Sequence, residues 1–287
     1  MERLTNSLNW NHQLAKKLRV NVELIFVEYN PISGQSLLSD LDIWPHSDFW
    51  QTKIIPHRDD SGSDQFEEFT AKNIGIRQAT GDYILVSNAD IFLPEWCFMN
   101  YQDVEKNKFL LADRLNVRNS SFDWNEMLRS ADEYCMKGGI FLRPSFIPHG
   151  IYYRALSAYL RVRKTMYKVF PFLLKPGVQF LLEYHFTACG DFMLAHRSVW
   201  KELNGFREGT SETAHVDSLF LLKVISHNFE IEEIRSPVLH QNHEHRYSFR
   251  KPTREMQKML EVLLEEIQAF QASQQPVVVS KAKLNLR

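Results

Sequence analysis

The stretch Ala71-Lys72-Asn73-Ile74-Gly75-Ile76-Arg77-Gln78-Ala79-Thr80-Gly81-Asp82-Tyr83-Ile84-Leu85-Val86-Ser87-Asn88-Ala89-Asp90 decides the reading of the fold. Phe66 to Gln78 reads as a helix, small residues at Ala71, Gly75 and, just past its end, Ala79 let it lie close against a sheet, and Gly81 stops it. Tyr83 to Ser87 (YILVS) then reads as a strand ending at Asn88-Ala89-Asp90. Ligands of open α/β sheets bind beyond the carboxyl ends of the strands, so these polar residues stand where function is expected. On an extended backbone residues two apart point to the same side, and Asn88 and Asp90 are therefore expected to address one cation or one ribose. The competing reading is a turn capped by Asn and Asp.

Working outward, Glu23 to Glu28 (ELIFVE) reads as a buried strand that Asn30-Pro31 ends, and Ile54-Ile55 before Pro56 suggests another. Leu4, Leu8, Leu14 and Leu18 recur at roughly helical spacing, which predicts an amphipathic helix over residues 2–18. His57 to Asp64 is rich in loop formers and is expected to be mobile. The alternation of strand, helix and strand predicts an α/β domain with a mostly parallel central sheet flanked by helices. Downstream, helices are expected near Ser198 to Leu203 and from Val216 to Ser226, with a strand near Ile231 to Ile234. Met256, Met259, Leu260, Leu263, Leu264, Ile267 and Phe270 mark the apolar face of a long helix over 253–270, which packs on the body or on a partner. A single domain over residues 1–271 is expected, followed by a flexible tail at 272–287.

The chain has 287 residues, 44% hydrophobic and 24% charged, the composition of a globular protein with a sizeable core. Thirty-four basic residues against thirty-five acidic ones leave a net charge of -1, so no overall field gathers nucleic acid or anionic membrane, and any basic surface is local. Cys97, Cys135 and Cys189 are scattered and odd in number, which argues against a disulfide framework and for a reducing, cytoplasmic setting. No run approaches the roughly 20 apolar residues of a membrane span, and no signal peptide is legible at the amino terminus.

Chemistry-bearing residues cluster at three further places. Gly190-Asp191-Phe192 leads into Trp200 and the turn Asn204-Gly205-Phe206, and His215-Val216-Asp217 opens an apolar helical run whose Asp217 also suits helix capping. His240-Gln241-Asn242-His243-Glu244-His245 packs imidazoles densely; neutral imidazole suits zinc or manganese, and Glu244 suits orienting a ring, although a solvated polar loop has the same composition. Tyr152 to Lys168 interleaves aromatics with cations, a pattern that serves an interface with lipid head groups, a polymer or another protein, or a solvated helix face.

The segment from Asn73-Ile74-Gly75 through Ala79-Thr80-Gly81 to Asn88-Ala89-Asp90 resembles the GT-A glycosyltransferases, in which an Asn-x-Gly helix and an Ala-x-Gly turn precede a strand ending in Asp-x-Asp. Asn88 replaces the first Asp of that motif. Gly190 to Glu208 resembles the acceptor-side segment of the same family, and the resemblance runs from about Leu4 to His245, with a donor half near 1–115 and an acceptor half near 116–250. It implies a GT-A, Rossmann-like fold and transfer of a sugar from a nucleotide-diphosphate donor to a hydroxyl acceptor with a divalent metal, Mn2+ or Mg2+. It further implies that Asp90, His240 and His243 hold the metal, that Glu28, Asn73, Asn88 and Asp90 position the nucleotide, that Asp191 contacts the sugar or acceptor, and that Asp217 is the general base. GT-A proteins open with a central strand that this chain lacks; the resemblance places the gap between the strands at Glu23 and Tyr83, to be filled by sequence upstream of Met1 or by another segment. A non-catalytic glycosyltransferase-like module is the alternative. A sugar-phosphate nucleotidyltransferase would carry a Gly-rich, Lys/Arg-bearing opening loop, which is not present.

Overall fold

A computed structural model describes residues 1–31, 38–59, 66–99, 101–118, 123–136, 139–169, 189–209, 215–243 and 254–273. Residues 60–64 of the expected mobile loop, Glu244, His245 and the tail from residue 274 lie outside the described residues. The chain opens with helix α1 (Glu2–Leu18), which Arg19 ends in the left-handed conformation, φ 55°. Strands β1 (Val22–Tyr29) and β2 (Trp50–His57) pair in parallel, Val22 opposite Trp50 and Glu28 opposite Pro56. A proline is tolerated there because β2 is the outer strand of a two-stranded sheet. Helix α2 (Glu68–Gln78) lies close on β1: a Cβ added at Gly75 would meet the Val27 and Ile25 methyls at 3.7 and 3.8 Å. Strand β3 (Tyr83–Ser87) follows, then β4 (Ile91–Phe92) and the short helix α3 (Trp96–Met99).

The second sheet is built around β5 (Lys108–Val117). Along one edge β5 pairs in parallel with β9 (Glu230–Gln241), which also carries β4. Along the other it pairs first with β8 (Phe192–His196) and then, beyond Leu111, with β6 (Ala131–Met136), which leads to β7 (Gly139–Leu142). β3 joins as the neighbour of β8. The protein is therefore mixed α/β, but its seven-stranded sheet is not the mostly parallel sheet expected from the sequence: among its pairings only β5 with β9 is parallel. For β6 and β7 the direction follows from connection length. Only residues 137–138 separate β6 from β7, too few for the crossover that parallel neighbours require.

Helices α4 (Trp124–Ser130), α5 (His149–Val169), α6 (Arg197–Leu203), α7 (Val216–Ser226) and α8 (Arg254–Ala272) are the remaining α-helices among the described residues. Trp200 of α6 stacks on Phe220 of α7 at 5.1 Å and 8°, and its indole N–H donates to Ile84 O at 3.1 Å, fixing both helices on β3. Leu263 and Ile267 seat α8 in the same cluster, so the amphipathic face of this helix packs on the body; each such burial is worth about 1.5–3 kcal/mol. Among the described residues β1 pairs with β2 alone and β3 with β8 alone, so one edge of each has no ladder partner there, while α2 packs against both strands.

Candidate functional site

At the carboxyl end of β3 the chain turns at Ala89-Asp90, and β4 then pairs with the end of β9 so that Ile91 stands opposite His240. That register delivers the Asp90 carboxylate to two imidazoles. Its Oδ2 lies 3.1 Å from His243 Nε2 and 3.4 Å from His240 Nε2, with the Arg3 guanidinium at 3.8 Å. Burial pushes the Asp90 carboxyl up, but the hydrogen bond and charge of His240, with His243 and Arg3, outweigh it and hold the group below its ordinary value. One ligand atom from each of Asp90, His240 and His243 lies within 4.8 Å of the others. Donor atoms about 2.1 Å from one ion stand about 3 Å apart at a right angle, and the 3.1 and 3.4 Å separations of the imidazoles from Asp90 suit a shared small cation. Two imidazoles beside one carboxylate suit manganese or zinc better than magnesium, which prefers oxygen ligands and keeps much of its water.

Helix α1 holds this turn in place. Ser7 Oγ donates to Ala89 O at 2.5 Å, the Asn11 amide takes both Ile91 O (3.1 Å) and Leu93 N–H (3.0 Å), and Trp10 Nε1 donates to Leu93 O at 2.9 Å. Gln241 spans helix and turn, donating from Nε2 to Arg3 O at 2.7 Å and from its backbone N–H to Asp90 O at 3.2 Å. A turn whose backbone is bonded on both sides has little freedom left, and the Asp90 side chain is aimed accordingly.

A second network lies on the other side of the same turn. Asn88 donates from Nδ2 to Asp191 Oδ1 at 2.8 Å and accepts from Lys72 Nζ at 2.9 Å. Asp191 is buried, and its Oδ2 accepts from Arg114 of β5 at 2.8 Å. Lys72 also reaches Glu68 at 2.6 Å and Gly190 O at 3.3 Å. Burial disfavours the Arg114 charge, yet Asp191 and Cys135 raise its pKa above the ordinary arginine value, so the guanidinium stays charged. Asp217, in the first turn of α7, accepts the Gly190 N–H at 3.0 Å through Oδ2 and the Ser218 N–H at 2.8 Å through Oδ1. Oδ2 thus ties α7 to the Gly190-Asp191 turn while Oδ1 bonds within α7, and the half-buried Asp217 remains more accessible than Asp191.

The structure brings Asn88 to Asp191, and Asp90 to His240 and His243, in separate clusters; Asn88 and Asp90 do not share a partner as an extended backbone would have them do. The cause is the turn at Ala89-Asp90, which breaks the alternation of the strand. Glu28 stands at the end of β1 and accepts the Leu38 N–H at 3.2 Å. Asn73 is buried and directed elsewhere: Oδ1 accepts the Phe206 N–H at 2.8 Å while Nδ2 donates to Phe206 O at 2.9 Å and Glu208 Oε1 at 2.8 Å. Gly205, at φ +63°, lets this clamp close, since a Cβ there would fall 2.2 Å from Asn73 Oδ1. Lys72, Arg114 and Arg3 were not legible as site residues, although a guanidinium inside the apolar run KFLLADRLNV and a lysine four residues after Glu68 were available signals.

Comparison with known protein families finds no family model that matches the chain, and comparison with curated proteins finds no match.

Proposed function

We propose that the protein is a metal-dependent glycosyltransferase with a GT-A-like donor site, moving a sugar from a nucleotide-diphosphate donor to a hydroxyl acceptor. The observation that carries the reading is the convergence of Asp90, His240 and His243 directly after a strand whose other terminal residue, Asn88, bonds a buried carboxylate. In this reading Asp90, His240 and His243 hold a divalent ion, manganese in preference to magnesium. Bound there, the ion draws charge from the departing diphosphate as a Lewis acid.

The remaining work falls to the chain's own groups. Lys72, bonded to Asn88, and the half-exposed Arg3, beside Asp90, suit diphosphate oxygens. Asn88 positions the nucleotide, and Glu28, at the end of β1, meets its ribose or base. Asp191, buried and paired with Arg114, orients Asn88 and Arg114 and contacts the sugar only through that arrangement. Asp217 receives the proton of the attacking hydroxyl, because it is the more accessible carboxylate and is rigidly held by Gly190. Asn73 serves the site from behind by clamping α2.

The non-catalytic reading is favoured by one observation, the edge of β3 that has no ladder partner among the described residues. Hydrolysis of UDP- and GDP-sugars separates the two. The catalytic reading predicts slow, manganese-dependent release of sugar that Asp90→Ala abolishes and Asp217→Asn lowers about a hundredfold or more. A folded protein that binds nucleotide with manganese yet turns over no donor supports the binding module instead.

A further inference from the structure

Helix α5 has two apolar faces. Tyr152, Tyr153, Leu156 and Leu160 turn inward onto the cluster that includes Tyr134 and Met127. About a third of a turn away a second stripe runs at spacings of three and four: Ile151, Ala155, Tyr159, Val162, Met166 and Val169. Its large side chains are 50–64% exposed, and Phe146, on the approach to the helix, is 84% exposed. Continuous apolar exposure of this extent marks a contact surface.

We propose that this face of α5 docks on an anionic lipid bilayer, the helix lying in the plane of the interface. The charge pattern selects the occupant. Arg154 and Arg161, seven residues apart and exposed, stand in one row along the border of the stripe. The half-buried Arg163 adds a third cation, and the helix sequence contains no Asp or Glu, in a chain whose net charge is -1. An apolar stripe edged by cations without interspersed acids matches anionic head groups over acyl chains. Protein interfaces are depleted in lysine, and a two-fold pairing of this face with its copy would bring identical cationic rows together. Tyr159 suits the boundary, with an apolar ring and a polar tip. A helix of 21 residues presents the stripe over about 30 Å. No described helix is long and apolar enough to cross a membrane. This surface is independent of the nucleotide site and of the function proposed for it.

Sedimentation of the full chain with phosphatidylcholine vesicles, with and without about one-third phosphatidylserine, tests the proposal. The protein is expected to pellet with the anionic vesicles and to be released as salt rises. Neutralising one cation near such a surface weakens binding about fivefold, so Arg154→Gln with Arg161→Gln is expected to weaken it about 25-fold. Val162→Glu with Met166→Glu, both at exposed positions, is expected to abolish pelleting without shifting the melting temperature. Protein that stays in the supernatant with anionic vesicles, or a V162E/M166E variant that pellets like the parent, overturns the proposal. So does a lipid-free dimer, seen by light scattering, that V162E/M166E disperses.

Discussion

Replacing Asn73 with alanine tests whether this residue is a structural clamp rather than a nucleotide ligand. Its amide makes both bonds to the Phe206 backbone at 2.8 and 2.9 Å, and the position is 2% exposed. Truncation leaves a peptide N–H and a C=O without partners, each costing about 1–3 kcal/mol when water cannot reach it. The bond to Glu208 adds little, because that carboxylate is 41% exposed and also pairs with Arg77. A loss of about 2–4 kcal/mol is therefore expected, read as a lower urea midpoint at unchanged slope, or a melting temperature lower by roughly 5–10 °C. Gly205→Ala strains the same contact from the other side, so the double variant should lose less than the sum of the two. All of this is expected in nucleotide-free protein. A change below about 0.5 kcal/mol in N73A, or one that appears only when nucleotide is present, would refute the clamp.

Other consequences are as direct. Arg114→Met leaves the buried Asp191 without its counter-charge and should cost about 3–5 kcal/mol by denaturant unfolding, with R114M/D191N recovering part of the loss. Asn11→Ala frees the Ile91–Leu93 segment that aims Asp90 and is expected to weaken manganese binding about tenfold, measured by calorimetry. His149 stacks on Tyr134 and Tyr153, and burial, then Arg143, lower its pKa below the ordinary value near 6.5. The folded state thus favours the neutral ring, its contribution is full above pH about 6.5, and it is lost as pH falls toward the folded pKa. The melting-temperature advantage of the native protein over His149→Phe should accordingly shrink between neutral and mildly acidic pH; a constant difference would contradict the assignment.

The parts of the fold legible in the sequence are those with one strong local signal. The leucines of α1, the apolar runs of β1 and β3 and the helical periodicity of α8 each placed an element within a few residues of its position. β5 was not legible. KFLLADRLNV is buried on both faces, so it shows no alternation, and its role as the spine of the second sheet depends on partners as distant as β9. With β5 unseen, the antiparallel half built on it was unseen as well, and the sheet read as mostly parallel. In the site, Asp90 stood out by its place at a strand end and in a motif and the histidines by their density, whereas Arg114 and Lys72 became site residues only through tertiary pairing with Asp191 and Asn88. Asn73 illustrates the opposite case. Its place in a motif suggested ligand contact, yet its partner is the backbone of a turn far along the chain.

The central claim is that Asp90, His240 and His243 form a metal centre that carries a nucleotide. Calorimetric titration of UDP and GDP into the protein, with and without manganese, tests it most directly, beside Asp90→Ala and His243→Ala variants shown to be folded. Nucleotide binding is expected to require manganese and to be lost in both variants. Binding that is equally tight without manganese, or that survives Asp90→Ala, or no binding at all by the folded parent protein, would contradict it.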